Sequence, residues 1–175
     1  MRSSILSIFT ILATPSLAHI QDSRFPGYGF SWYAPACGFS CYSALSGAPL
    51  ICTSMDHSGG HDHSHGSGPT TPECRANDST FLKTLAYCMD TFCPSTVSVW
   101  QREKFWSLRI TGDESVLPKW PYTTSLAKIT ETPTLEFNSS NVLNETAILP
   151  QEEFDIRNNF NIMFDHIEGL QVRYM

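Results

Sequence analysis

Six cysteines, Cys37, Cys41, Cys52, Cys74, Cys88 and Cys93, are confined to one part of the chain, and from Pro94 to Met175 there is none. The chain therefore divides into a stretch that covalent bonds can staple and a stretch that packing alone must hold. An even count of cysteines in an exported chain reads as three disulfides, with 15 pairings open. A zinc site would need paired C-x2-C knuckles. The spacings between successive cysteines, x3, x10, x21, x13 and x4, do not supply them.

Export is written at the start of the chain. Arg2 gives a positive first segment, Ile5 to Ala13 a short apolar core, and Ser16-Leu17-Ala18 a small-x-small cleavage site. Residues 1–18 are thus expected to be a signal peptide, cut after Ala18. Three acceptor sequons, at Asn77, Asn138 and Asn144, fit a chain that passes through the secretory route and ends outside the cell or on its surface. Eleven basic residues against seventeen acidic ones give a net charge of −6, which repels phosphate backbones and excludes nucleic acid as a partner. No apolar run reaches the roughly 18 to 20 residues of a membrane span, so contact with a membrane is expected only if the chain continues beyond Met175.

Apolar spacing is helical wherever it is regular. Phe81, Leu85, Cys88 and Phe92 recur at steps of four, three and four, which predicts a helix with Ser79 or Thr80 as its cap and Pro94 as its stop. Ser95 is expected to cap a second helix through Trp100, Phe105 and Trp106 to Arg109, closed by a turn at Gly112-Asp113. Cys37 and Cys41 share the face of a further helical turn. Ile156, Phe160, Met163, Ile167 and Leu170 carry the same period along the last helix and give it an apolar face. Trp100, Trp106 and Trp120 are read as packing residues. The expected class is mainly α. A small disulfide-stapled, Cys-rich helical head over residues 19–93 is followed by a helical, Cys-free, juxtamembrane-like region with irregular loops over residues 94–175.

The densest chemistry lies in a Gly- and Ser-rich stretch over residues 54–73, between Cys52 and Cys74. It carries Met55, His57, His61, Asp62, His63 and His65. Neutral imidazoles bind divalent first-row metals, copper(II) most tightly, and the Met55 thioether adds a soft donor for copper(I). These residues are candidate ligands for copper or zinc, or for iron. His19 is a further candidate: cleavage after Ala18 makes it the mature N-terminus, and amine plus imidazole chelate copper, with His166 as the candidate third nitrogen. That pairing resembles the brace of secreted copper-dependent polysaccharide monooxygenases. No other catalytic pattern is present: Gly27-Tyr28-Gly29 lacks the third glycine of a dinucleotide cradle, and neither a P-loop nor a G-x-S-x-G elbow occurs. Asp113/Glu114 and Glu152/Glu153 read as solvated surface.

Several short motifs recur in a telling order. The run Gly27 to Cys41, then Thr84-Leu85-Ala86-Tyr87-Cys88, Glu103-Lys104-Phe105-Trp106, Thr111-Gly112-Asp113 and Leu117-Pro118-Lys119-Trp120, resembles the extracellular N-terminal region of fungal ferric reductase transmembrane components. The resemblance covers most of residues 25–175. It implies an extracellular head in iron or copper uptake, with a His/Met-rich loop where Met55 to His65 stand. The clustered cysteines also look like the fungal eight-cysteine extracellular membrane domain, but six do not carry over its haem chemistry. Members of the reductase family place their haem-ligating histidines, flavin and NAD(P)H sites in further domains, and none of those signatures is present here. The resemblance thus implies a part that binds or presents metal and is not catalytic alone. Two other readings stand beside it: a secreted copper- or zinc-binding protein that uses the histidine loop or His19, and a purely structural secreted cap.

Overall fold

The structure, a computed structural model, describes residues 35–53 and 70–172, with side chains as far as residue 163. The chain is mainly helical. Helix α1 (Ala36–Leu45) begins at Pro35, whose ring presets φ for a helix start, and Phe39 N–H donates to the Pro35 carbonyl at 3.1 Å. Helix α2 (Pro72–Asn77) opens with proline in its first turn and Thr71 as cap. Helix α3 (Ser79–Phe92) is the central element, burying Phe81, Leu82, Leu85, Ala86, Cys88 and Met89.

Two helix starts differ from expectation. The cap of α3 is Asp78, whose carboxylate accepts from Thr80 N at 2.9 Å and Phe81 N at 2.8 Å, so Ser79 is already helical. A carboxylate there also meets the positive end of the helix dipole, which a hydroxyl does not. Asp78→Ala is expected to cost about 1 kcal/mol in urea unfolding, a typical cap loss. Helix α4 (Val99–Arg109) starts at Ser98 and not at Ser95, because only Ser98 has a glutamine three residues on. Ser98 and Gln101 close a reciprocal capping box, while Pro94 to Val97 form a turn. The expected turn after α4 forms at Gly112, whose φ of +87° suits glycine.

The disulfides are Cys37–Cys93, Cys41–Cys88 and Cys52–Cys74. They are nested, each lying inside the last, and they run α1 and α3 side by side in opposite directions. Gly38 sits where α1 passes α4: a Cβ there would lie 3.1 Å from the Phe105 ring. The Cys-free region joins the same core. Phe105, Trp106, Ile110, Tyr122, Leu149 and Phe154 are buried together with the cystines. Trp106 donates its indole N–H to the Trp120 carbonyl at 2.8 Å and meets Tyr122 edge-on at 5.7 Å. Trp100, expected to pack, is instead 61% exposed, because α4 turns Phe105 and Trp106 inward and Trp100 lies on its outer side.

Helix α5 (Tyr122–Ala127) has Pro121 at its cap, with no side chain able to cap it locally. Glu103 of α4 does so from a distance, accepting from Tyr122 N and Thr123 N, each at 2.9 Å. Two short strands, β1 (Leu135–Glu136) and β2 (Ala147–Ile148), pair in parallel, Leu135 opposite Ala147. Helix α6 (Gln151–Val172) packs on α1. Its expected apolar face does not enter the core: Ile156, Phe160 and Met163 are 64, 56 and 50% exposed. Among the described residues, no helix is long and apolar enough to cross a membrane.

Candidate functional site

The chain leaves the described head at Thr53 and re-enters it at Thr70. Between them lie Met55, His57, His61, Asp62, His63 and His65, all outside the described residues, as is His19. His166 belongs to α6, and its side chain is likewise outside them. What the structure supplies is the base from which the histidine-bearing stretch departs.

That base is tied in four ways. The Cys52–Cys74 disulfide holds the two strands of chain 5.6 Å apart at their Cα atoms. Thr53 Oγ1 and Thr70 Oγ1 lie 2.8 Å apart in a hydrogen bond, and Thr53 Oγ1 also accepts from Leu50 N at 2.8 Å. Thr71 then caps α2 by accepting from Cys74 N, so the return of the chain is converted at once into helix. Arg75, one residue past the cysteine, donates to the Thr111 carbonyl at 3.1 Å and the Ser46 carbonyl at 3.3 Å. A single guanidinium thus fastens α2 to the ends of α1 and α4. Residues 54–69 are held at both ends by a braced frame, and closing the chain before a ligand arrives removes entropy that binding would otherwise have to overcome.

Comparison with protein-family models, with curated proteins and with solved structures finds no match. Functional argument therefore rests on this chain's own residues.

Among the described residues, no group of three or more His, Cys, Asp or Glu side chains converges to hold a metal ion. An open cleft of about 500 Å³ lies along α4, lined by Trp100, Glu103, Lys104, Trp106, Leu117 and Pro121. Glu103, the carboxylate among these lining residues, is committed to the amides that begin α5. Nearby, buried Arg102 donates to Tyr122 Oη at 3.1 Å and to the Cys93 carbonyl at 3.2 Å, with Asp90 at 3.4 Å. Burial raises the Tyr122 pKa above that of a free tyrosine, against the pull of the Arg102 hydrogen bond. This group knits α3, α4 and α5 together.

The sequon asparagines Asn77, Asn138 and Asn144 are all exposed. Asn138 accepts from Ser140 N at 2.9 Å in an Asx turn, while the Asn77 amide donates to the Glu73 carbonyl within α2. The residues that sequence reasoning missed are Thr53, Thr70 and Arg75. The two threonines carry a weak signal, since each adjoins the polar stretch at its edge. Arg75 carries none, because its acceptors are backbone carbonyls far along the chain.

Proposed function

We propose that the chain is an extracellular, disulfide-stapled head that captures or presents a transition metal ion on residues 55–65, as the ectodomain of a ferric or cupric reductase would. The observation that carries this reading is the paired Thr53–Thr70 hydroxyls backed by the Cys52–Cys74 bridge, which clamp the base of a segment holding four histidines. The donor set fits copper(II) or zinc: His57, His61, His63 and His65 offer neutral nitrogens and Asp62 an oxygen, while Met55 suits copper(I). The metal is cargo. Its reduction belongs to the haem and flavin domains that the resembled family carries elsewhere.

Titration calorimetry with Cu²⁺ and with Zn²⁺ at pH 7 tests this. The full chain is expected to bind one or both, with affinity falling below about pH 6.5 as the imidazoles protonate. Deletion of residues 55–66 should abolish the binding and leave the thermal midpoint in place, since the base lies outside the deletion. Heats from the deletion variant matching those of the full chain would remove the proposal. Retained copper binding in that variant, lost on His19→Ala, would move the site to the N-terminus.

A further inference from the structure

Ile51 is 70% exposed, although its neighbour Leu50 is buried. Leu50 pairs in parallel with Leu143, itself buried, and Leu143 N–H donates to the Pro49 carbonyl at 2.9 Å. The two chains leave that bridge in the same direction, and successive residues of extended chain point to opposite sides. With Leu50 and Leu143 inward, Ile51 and Asn144 come out beside each other on the solvent side, and Asn144 is exposed. Thr53 N–H donates to the Leu50 carbonyl at 2.9 Å, so Ile51 and the exposed Cys52 form the turn that ends at the Thr53 clamp.

We infer that Asn144 carries an N-linked glycan whose first sugars cover Ile51 and stand over the base of residues 54–69. The transfer joins Asn144 Nδ2 to C1 of a sugar held on a polyprenyl diphosphate. The C1–O bond breaks, the diphosphate leaves with the electron pair, and Nδ2 gives up one proton to a carboxylate of the transferase, which also grips the hydroxyl two residues on. Both groups that the transferase must reach are free: neither the Asn144 amide nor the Thr146 hydroxyl is in a hydrogen bond. The peptide between them is held at both ends, by Leu143 on Pro49 and by Ala147 N–H, which donates to Thr84 Oγ1 at 3.1 Å. Sugar rings present C–H faces, so seating them on Ile51 takes exposed apolar surface out of water.

The other two sequons differ in kind. Asn77 is closed by the fold: its amide donates to the Glu73 carbonyl at 2.9 Å, and Ser79 Oγ accepts from Lys119 Nζ at 2.8 Å. Lys119 also donates its backbone N–H to the Ala76 carbonyl at 3.0 Å, so the folded chain holds both of that sequon's groups. Asn138 stays open, on a turn closed by Asn141 N–H on its carbonyl at 3.1 Å. That turn offers Ser139, Ser140 and Asn141, none of them an apolar side chain for a glycan to cover. Asn138 is thus the internal control. The inference rests on the extracellular part of the reading above and is independent of metal binding.

Peptide mapping of the full chain secreted from a eukaryotic host tests the inference, each occupied asparagine being read as the aspartate that enzymatic glycan release leaves behind. Asn144 is expected to be occupied in most molecules. Asn144→Gln should then lower Tm by about 2–4 °C, the shift of a modest surface contact in a chain of this length. In an Ile51→Ser background the same change should leave Tm where it was, because the surface that the glycan covers is gone. Alkylation of Cys52 after brief exposure to a water-soluble phosphine should run several-fold faster in Asn144→Gln than in wild type, while Asn138→Gln changes neither readout. A secreted chain with sugar on Asn138 and none on Asn144 overturns the inference and leaves export standing. A Tm shift on Asn144→Gln that is the same with Ile51 as with serine overturns the contact. A chain that stays in the cytosol, with no glycan at any sequon, fails the extracellular reading and takes this inference with it.

Discussion

Reducing all three disulfides unfolds the protein at 25 °C. The expectation rests on the nesting of the bridges. Cys52 and Cys74 are separated by 22 residues, Cys41 and Cys88 by 47, and Cys37 and Cys93 by 56. With the innermost bridge in place, the second closes only the chain by which its own loop exceeds the first, and the outermost adds less again. On the chain-entropy relation these closures contribute about 3.4, 3.5 and 2.6 kcal/mol from the inside outward, or about 9.5 kcal/mol together. A domain of this size has a total stability of about 5–15 kcal/mol, and at or below the middle of that range nothing remains once the bridges are opened. Loss of far-ultraviolet helical signal on adding dithiothreitol is the readout, and a cooperative melt retained in the reduced protein would contradict the account. Burial separates the two bridges between α1 and α3: Cys41 and Cys88 lie deeper in the core than Cys37 and Cys93.

Trp106→Ala carries the second large effect. The indole is 1% exposed, and its removal leaves a void between α4 and α5. The loss is expected to be about 4 kcal/mol, the middle of the range for large aromatic truncations. Part of it comes from the Trp120 carbonyl, left without its donor at a cost of about 1 kcal/mol. Trp106→Phe separates the two causes, since it refills most of the volume but restores no hydrogen bond. In urea, the alanine variant should shift the midpoint down by about 2 M at a slope of about 2 kcal/mol per M. A shift below about 0.5 M would mean that the site collapses around the missing ring.

Much of this architecture can be read from residue spacing. The steps Phe81, Leu85, Cys88 and Phe92 locate α3 because a buried helix has to repeat its apolar residues at that interval. The disulfide pairing is a different matter. Spacing leaves 15 choices open, and only the antiparallel placement of α1 against α3 selects Cys37 with Cys93 and Cys41 with Cys88. The same limit applies to α6. Periodicity locates an apolar stripe at Ile156, Phe160 and Met163, but it carries no information about which surface the stripe meets. Tertiary caps and clamps are equally silent in sequence. Glu103 reaches forward to the first amides of α5, and Asn161 reaches back to Ser40 from the far end of the chain, so no local pattern records either bond. For the candidate metal segment the balance is reversed: its donors are plain in the sequence, and its anchorage is plain only in three dimensions.

The nested bridges also make the histidine-bearing stretch separable from the rest of the protein in evolutionary and proteolytic terms. All three cystines cross-link residues that flank positions 54–69 on both sides. A protease cutting once anywhere in that interval would leave two fragments still joined by three covalent links, with every core residue where it was. Insertions or losses of residues there act on an already closed circuit, so the length and histidine content of the segment can change without opening the scaffold beneath.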